Sequence, residues 1–389
     1  MKFILLAALM LVGVAAAHAD ELTIAFVGRA GLVSSPYGAL EAPITDQGIA
    51  GARVGIADDN QTGELTGQTF VLKHFVVSEQ NGIAAVAAAI AADHIRFVVA
   101  DLDEGALRAL ATLPGAEKFL ILNAGAPDDR LREEACLPGM LHTLPSRAML
   151  TDALAQYLVW KQWRRWFVVA GPTPADKLYA AALRRSAKKF GAAITTEKDW
   201  TFRTANARAD TGHVTLQTEI PAFTRVADHD VLVVADEANE FGDYLEGRSA
   251  LPRPVAGTSG LVATGWSRVN TQWGATQLQQ RFQKSAGRPM TPVDYAAWLA
   301  VRALGEAATR AATTDPDALA AWLRGPEFLV AGFKGQGQSF RAWDGQMRQP
   351  VLIAGPRLLV SVSPQPGYLH RSSELDTLGT DRDESKCGK

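Results

Sequence analysis

Cysteine is scarce in this sequence, with only Cys136 and Cys387 among 389 residues. A structural zinc site needs about four ligands, usually in local pairs, so two cysteines so far apart do not predict one. Because the chain begins like a secreted protein, both thiols are expected in an oxidising compartment, where a Cys136–Cys387 disulfide is the simplest prediction. Two unpaired thiols, one of them in a disordered tail, are the alternative.

An excess of basic residues is also missing. The sequence holds 39 Lys and Arg against 41 Asp and Glu, a formal net charge of -2. A nucleic-acid-binding protein would show a basic excess and a basic stripe, so no nucleic-acid partner is expected. Hydrophobic residues make up 47% of the chain, which predicts a packed core rather than disorder.

The only long apolar run lies at the N-terminus. Residues 1–19, MKFILLAALMLVGVAAAHA, combine Lys2 with an apolar stretch and a small-residue AHA before Asp20. The stretch is shorter than the roughly 20 residues needed to span a bilayer. It predicts a cleaved signal peptide, a mature chain that starts near Asp20 in the periplasm, and no membrane-embedded segment.

Motifs for catalysis and phosphate binding are absent. No GxGxxG follows a strand, no GxxxxGK[ST] occurs, and GTSG around Ser259 lacks the spacing of a nucleophile elbow. The seven histidines form no HExxH. We therefore expect no cofactor, no resident metal, no catalytic residue and no enzymatic activity. A secreted enzyme with a triad assembled from distant parts of the chain is the rival interpretation.

The sequence does contain a regular alternation of short apolar strands and helices. One series starts at LTIAFVG and a second includes WFVVAG and VLVVAD. Such a βαβα order predicts parallel sheets covered on both faces, so the predicted fold class is α/β with two Rossmann-like lobes. The expected units are the signal peptide 1–19, lobe 1 at 20–145 with 255–335, lobe 2 at 146–254 with 336–363, and a polar tail at 364–389.

One predicted strand, RFVVA, runs into Asp101, Asp103 and Glu104 before a helix. A phosphate site would have glycine and backbone N–H donors here, and these acids repel phosphate. Acids suit a hard cation, but three are too few and lack the loop of a calcium site. Negative charge at a helix start is favourable, so helix capping is the favoured interpretation and acids that face a ligand are the alternative.

The order of these segments resembles a known family. IAFVGRAG, GIAGARVGIADDNQ and WFVVAG together resemble the type I periplasmic solute-binding proteins of ABC transporters, especially the branched-chain amino acid receptors and leucine-binding proteins. The resemblance runs from about residue 22 to 363 and rests on order and pattern. The tail, YLHRSSELDTLGTDRDESKC, resembles the ending of a subgroup associated with PQQ-dependent alcohol oxidation systems.

The resemblance implies a clamp of two lobes joined by a hinge of three crossovers. A small-molecule ligand would be enclosed where the strand ends face each other, and an ABC permease would be the partner. Receptors of this group usually carry Ser, Thr and Gly at the first-lobe strand ends. This chain has ADLDEG and NAGAP there, which makes Asp101 and Asn123 candidate ligand contacts and an ordinary α-amino acid unexpected.

Aromatic and cationic residues suggest a second part of the site. Trp266 and Arg268 lie together near the expected third crossover. An aromatic face beside a guanidinium suits a flat anionic ring, so PQQ or a related aromatic carboxylate is the predicted ligand. Arg29 and Tyr37, on the loop after the first strand, complete the predicted contacts. Simple loop packing is the alternative for Trp266, Arg29 and Tyr37.

Other interpretations follow if the acids at 101 to 104 face the ligand. A cationic or amino-acid-like ligand, or a calcium or lanthanide ion, would then replace the aromatic carboxylate. A sensor subunit that presents its ligand to a membrane receptor is the alternative role. The sequence does not predict the oligomeric state.

Overall fold

The computed structural model describes residues 20–31, 42–202 and 218–387. The predicted signal peptide at 1–19 and the candidate residue Tyr37 lie outside these described residues. Two large β-sheets organise the described chain. Their strands are mostly parallel, as the alternation of short apolar strands with helices predicts.

Five parallel strands form the first sheet. They are β1 (Asp20–Arg29), β2 (Gln68–Val77), β3 (Phe97–Ala100), β4 (Leu120–Asn123) and β5 (Met140–His142). They lie side by side in the order β2-β1-β3-β4-β5. The helices between them are α1 (Ile49–Thr66), α2 (Ile83–Ala92), α3 (Glu104–Thr112) and α4 (Arg130–Glu133). Every side chain of β3 and β4 is buried, because apolar clusters pack on both faces.

The chain then crosses to the second sheet. Helix α5 (Arg147–Trp160) begins at an N-cap, Ser146, and α6 (Pro174–Phe190) begins with a capping box at Thr173. The strands are β6 (Arg165–Ala170), β7 (Ala193–Asp199), β8 (Val231–Ala235), β9 (Val255–Gly257) and β10 (Leu261–Thr264), which pair in parallel. A short helix, α7 (Gly242–Leu245), follows β8.

After β10 the chain returns to the first sheet. Helices α8 (Ala275–Ala286), α9 (Pro292–Ala311) and α10 (Pro316–Arg324) share one apolar core with β1 and β3. Helix α9 packs closely on α1, and Gly51 allows that approach. A Cβ atom at Gly51 would lie only 1.8 Å from the carbonyl oxygen of Asp294.

Three short strands and a final hairpin follow. The antiparallel strands β11 (Val330–Ala331), β12 (Gly337–Phe340) and β13 (Met347–Arg348) form a small sheet. Strands β14 (Val351–Ala354) and β15 (Leu359–Ser363) then join the second sheet in antiparallel orientation beside β10. The chain thus passes between the two large sheets after β5, after β10 and before β14, which are the three crossovers of a hinge.

The position of the second crossover differs from the expected lobe boundary. The sequence predicts residues 255–335 in lobe 1, but β9 and β10 pair within the second sheet. These strands have three and four residues, too few for a periodic signal, so the pairing of β9 with β8 and of β10 with β9 defines them rather than local pattern. We therefore propose a lobe boundary after Thr264, and the other boundaries stay predictions. The first lobe is the five-stranded sheet with its helices, and the second lobe is the seven-stranded sheet with its helices.

Candidate ligand-binding cleft

The carboxyl ends of the parallel strands carry the polar residues of the candidate site. Strand β3 ends just before Asp101, β4 ends at Asn123, and β8 ends just before Asp236. Open parallel sheets bind ligands beyond these ends. We therefore expect the ligand at the strand ends of both sheets.

Asp101 places a carboxylate between two glycines at the end of β3. A Cβ atom at Gly48, before α1, would lie 3.0 Å from one of its oxygens, and a Cβ atom at Gly125 would lie 2.6 Å from the other. Burial, and then the charge of Asp294, raise the pKa of this carboxyl to about 7. Within the described residues the Asp101 carboxylate receives no hydrogen bond, so a donor from a ligand would stabilise it.

The neighbouring acids serve helix α3 instead. Asp103 is the N-cap of α3, and its Oδ1 accepts a hydrogen bond from the backbone N–H of Ala106 at 2.8 Å. The Glu104 carboxylate lies 3.5 Å from Arg108 of the same helix. Helix capping, the favoured interpretation, therefore holds for Asp103. Arg29 is exposed and forms an ion pair with Asp103, and a ligand contact by Arg29 stays a prediction.

Asn123 organises the loop that follows β4. It is fully buried, and its Oδ1 accepts from the backbone N–H groups of Gly125 and Ala126 at 3.1 and 2.9 Å. Its Nδ2 donates to the carbonyl of Ala126 at 2.8 Å and lies 3.0 Å from Nδ1 of His142. These bonds occupy the amide, so Asn123 shapes the loop in this conformation, and its contact with a ligand stays a prediction.

Arg147 joins the strand ends of the two lobes. It begins α5, and its Nη1 donates to Asp128, in the loop after β4, at 2.8 Å. Its Nε and Nη2 donate to both carboxylate oxygens of Glu237, which follows β8, at 2.8 to 3.0 Å. Burial opposes the charge of this guanidinium, but the hydrogen bonds and charges of Glu237 and Asp128 raise the pKa of Arg147. Burial raises the pKa of Glu237 against the effect of Arg147.

The loop after β8 is fixed by two further carboxylates. Asp236 accepts hydrogen bonds from the backbone N–H groups of residues 240 to 242 at 2.7 to 2.9 Å. Asp176, in the first turn of α6, accepts from the backbone N–H of Glu237 at 2.7 Å. Asp176 therefore holds the backbone of Glu237, and Arg147 holds its side chain. The Glu237 carboxylate is thus in position before any ligand binds.

The aromatic residue predicted to stack on a ligand lies in the core. The Trp266 side chain is 1% exposed and belongs to the main apolar cluster of the first lobe. Its ring stacks on Tyr295 with centroids 4.6 Å apart and planes 8° apart. A ligand contact would require the indole to leave this stack, while Arg268 lies exposed on the segment that follows. Contacts of Trp266 and Arg268 with a ligand stay predictions.

The sequence prediction missed Asp128, Arg147 and Glu237. Glu237 had a usable signal, because the acids Asp236 and Glu237 follow the buried strand VLVVA, as Asp101 follows FVVA. Arg147 looks like an ordinary helix residue in the sequence. Only the tertiary structure brings its guanidinium between an acid of each lobe.

Metal ligands do not gather in the described parts of the chain. No group of three or more His, Cys, Asp or Glu side chains there could hold an ion. Asp101 and Asp294 approach each other, but two carboxylates alone fall short of the six to eight oxygen ligands of calcium. The calcium or lanthanide alternative stays a prediction without support from these residues.

The architecture and the comparisons agree on the class of protein. A family model described as periplasmic binding protein matches residues 27–210. Two large sheets joined by three crossovers give the two-lobed type I periplasmic binding protein fold. The family match covers less than half of the chain, and in fold the chain is similar to the type I periplasmic binding proteins. No helix in the described ranges has the length and apolarity to cross a membrane.

Solved structures of the same fold come from several bacteria. A periplasmic binding protein from Burkholderia mallei is 17% identical, with 95% of this chain and 99% of that chain covered and a TM-score of 0.63. A branched-chain amino acid ABC transporter ligand-binding protein from Burkholderia xenovorans is 16% identical, with 88% and 95% covered and a TM-score of 0.66. A leucine-, isoleucine-, valine-, threonine- and alanine-binding protein from Brucella ovis is 17% identical, with 87% and 90% covered and a TM-score of 0.65. A search of curated proteins found no match.

Proposed function

We propose that this protein is the periplasmic solute-binding component of an ABC transporter. It captures a small molecule between its two lobes and releases the molecule unaltered to a membrane permease. One observation carries this proposal: Arg147 links Asp128 of the first lobe to Glu237 of the second, so the strand ends of both sheets lie close together. The periplasmic binding protein match over residues 27–210 supports it.

The charge of the cleft favours a ligand that carries an ammonium group. Asp101, Asp128 and Glu237 bring three carboxylates to the strand ends, where the guanidinium of Arg147 pairs with the last two. Arg29 adds no net charge because it pairs with Asp103. We propose an amino-acid-like ligand whose ammonium group binds at Asp101. The amino acids named for the solved relatives from Burkholderia xenovorans and Brucella ovis support this class.

PQQ or a related aromatic carboxylate remains the second candidate. It rests on the tail resemblance and on Trp266 with Arg268. The stack of Trp266 on Tyr295 and the carboxylates of the cleft give it no support. A sensor subunit would bind its ligand at the same site. It would differ only in that the ligand-bound protein contacts a membrane receptor rather than a permease.

A ligand panel read by thermal shift and calorimetry tests the proposal. The panel contains amino acids, diamines, PQQ, aromatic carboxylates, calcium and a lanthanide, added to the mature protein. A ligand at a hundredfold its Kd should add about 2.7 kcal/mol to the free energy of unfolding. Binding of an amine-bearing ligand, recovered chemically unchanged, is the expected result. Steady turnover of any panel compound, or the absence of binding across the panel, would contradict the proposal.

Substitution of Asp101 locates the ammonium group. Asp101→Asn should weaken binding of an amine-bearing ligand by at least about tenfold, because a charge-assisted hydrogen bond is lost. Asp317→Asn is the matched control, since the Asp317 side chain is 90% exposed on α10, and it should leave Kd unchanged. Equal affinities of the Asp101→Asn variant and the native protein would place the ammonium group elsewhere.

A further inference from the structure

The C-terminal arm, residues 364–387, contacts both lobes. It follows β15 of the second lobe and ends at Cys387, which is disulfide-bonded to Cys136 of the first lobe. We propose that this arm is a fourth connection across the hinge and limits how far the two lobes rotate apart. The inference rests on the two-lobed fold and does not depend on which ligand the cleft binds.

The arm is first anchored to the second lobe. Leu378 is buried in the core beside the second sheet. The backbone N–H of Gly379 donates to Asp152 of α5 at 2.8 Å, and its carbonyl accepts from Arg185 and Lys189 of α6, each at 2.9 Å. Asp152 is fully buried and forms ion pairs with the same two cations. Backbone and buried charges thus fix the arm at Gly379.

The next residues of the arm are anchored to the first lobe. The Thr380 hydroxyl donates to the carboxylate of Glu133, at the end of α4, at 2.7 Å. The backbone N–H of Lys386 donates to the Glu133 carbonyl at 2.9 Å. The disulfide between Cys387 and Cys136 lies directly beyond these contacts. The arm therefore ends on the segment that joins α4 to β5.

The second-lobe anchor and the first-lobe anchor are consecutive residues of the arm. Gly379 contacts the second lobe and Thr380 contacts the first, and the Cα atoms of consecutive residues are about 3.8 Å apart. If α4 moved away from α5 and α6 by more than a few ångströms, one anchor would break. The arm therefore resists separation of the two lobes on its side of the hinge.

The arm is also bonded to the third crossover of the hinge. Arg341, directly after β12, is 1% exposed, and its Nη2 donates to the carbonyls of Leu375 and Leu378 at 3.1 and 2.7 Å. Its Nε donates to Asp376 at 2.8 Å. The same guanidinium thus ties the crossover to the arm, so arm and crossover move as one unit.

The disulfide makes the first-lobe anchor persistent. Single hydrogen bonds such as that of Thr380 to Glu133 each stabilise by only about 1 kcal/mol net. The covalent bond keeps these weak contacts at a high effective concentration. Loss of the bond should weaken the hold of residues 380–387 on the first lobe and let the lobes open further, while the second-lobe contacts at Gly379 and between Glu384 and Arg185 remain.

Three forms of the mature protein test the arm: the oxidised native chain, the same chain reduced with a phosphine, and a Cys136→Ser/Cys387→Ser variant. Hydrogen exchange is followed at two hinge amides, His142 and Arg341, which donate to Gly345 and Gln346 at 2.9 Å. We expect exchange at these amides to be about tenfold faster in the reduced and variant forms, as local opening becomes easier. Small-angle scattering should show a larger radius of gyration for both.

Amides at the centre of the sheets are the internal control. Exchange in β3 and β6 reports global unfolding, which loss of the disulfide also makes easier. Hinge amides that remain faster than those in β3 and β6 in every form would show that the hinge opens locally rather than by general destabilisation. Equal hinge exchange and equal scattering in the oxidised and reduced chains would overturn the proposal. If the double variant fails to fold, the reduced native chain decides. No ligand is added, so the outcome is independent of the ligand panel.

Discussion

Arg147 and Glu237 form three hydrogen bonds between the guanidinium and both carboxylate oxygens, at 2.8 to 3.0 Å. A third group, Asp128, accepts from the same guanidinium at 2.8 Å. The Arg147 side chain is 7% exposed, so water does little to replace these partners. One cation thus holds together acids from the two lobes.

Removal of this cation should destabilise the fold. Arg147→Gln leaves Glu237 and Asp128 half-buried without their counter-charge, and uncompensated carboxylates of this kind lower the free energy of unfolding by about 2 to 4 kcal/mol. Urea denaturation at neutral pH measures the change.

Arg165→Gln is the matched control for that substitution. Arg165 also pairs with two acids, Asp228 and Asp230, but its side chain is 47% exposed. Exposed ion pairs contribute about 1 kcal/mol or less, so this variant should stay close to the native protein. Equal losses for Arg147→Gln and Arg165→Gln would contradict a special role of the bridge between the lobes.

Asp101 should make stability depend on pH. Burial raises its pKa from the ordinary 3.8 to about 7 in the folded protein, so between these values the folded state binds more protons than the unfolded state. Its contribution to stability is therefore largest at low pH and falls by about 2 kcal/mol from pH 5 to pH 7. Asp101→Asn removes this fall, as urea denaturation of both proteins at both pH values would show.

A second buried carboxyl titrates in the same range. Burial raises the pKa of Asp59, beside Arg302, to about 7 as well. The native pH profile therefore contains both groups, and only the difference between the native protein and Asp101→Asn isolates Asp101. Parallel pH profiles for the two proteins would show that Asp101 ionises normally in the folded state.

Trp266 should contribute to the free energy of unfolding whether or not it contacts a ligand. Its ring is buried against Tyr295, so Trp266→Ala should lower the free energy of unfolding by about 3 to 5 kcal/mol through the cavity it leaves. Trp160→Ala, at a residue that is 50% exposed, should change it by less than about 1 kcal/mol. Denaturant unfolding compares the two, and a small loss at Trp266 would indicate that the indole lies outside the core.

Close packing of α1 on α9 should forbid a side chain at residue 51. Gly51→Ala would place Cβ 1.8 Å from the Asp294 carbonyl oxygen, so the helices must separate, at a cost of about 1 to 3 kcal/mol. Gly105→Ala is the control, because its Cβ would meet its nearest atom at 3.4 Å in an exposed helix turn. Thermal melting should show a lower Tm only for Gly51→Ala, and equal Tm values would contradict the helix contact.

The strand series could be predicted because each strand carries its own signal. FVVA of β3 and VLVVA of β8 are short apolar runs that bury both faces. Strands β9 and β10 lack such a signal, since three or four residues show no period. Their assignment to the second lobe depends on the long-range pairing of β9 with β8 and of β10 with β14.

The residues of the candidate site also fall into those that the sequence predicts and those that only the tertiary structure assigns. Asp101 could be predicted at a strand end because an acid follows a buried strand in the sequence. Trp266 could not be assigned, since a tryptophan in a loop can face a ligand or a core, and only the position of Tyr295 places it in the core. Arg147 could not be predicted for the same reason, because its two partners lie 19 and 90 residues away in the chain.

By itself, the sequence determined the alternation of strands and helices, the α/β class and the acids at the end of β3. Those features depend on hydrophobic periodicity and on residue types within a short window. The tertiary structure alone decided that Arg147 bridges the lobes, that Trp266 is a core residue and that the C-terminal arm lies across the hinge. Each of these depends on contacts between residues far apart in the chain, which local patterns do not encode.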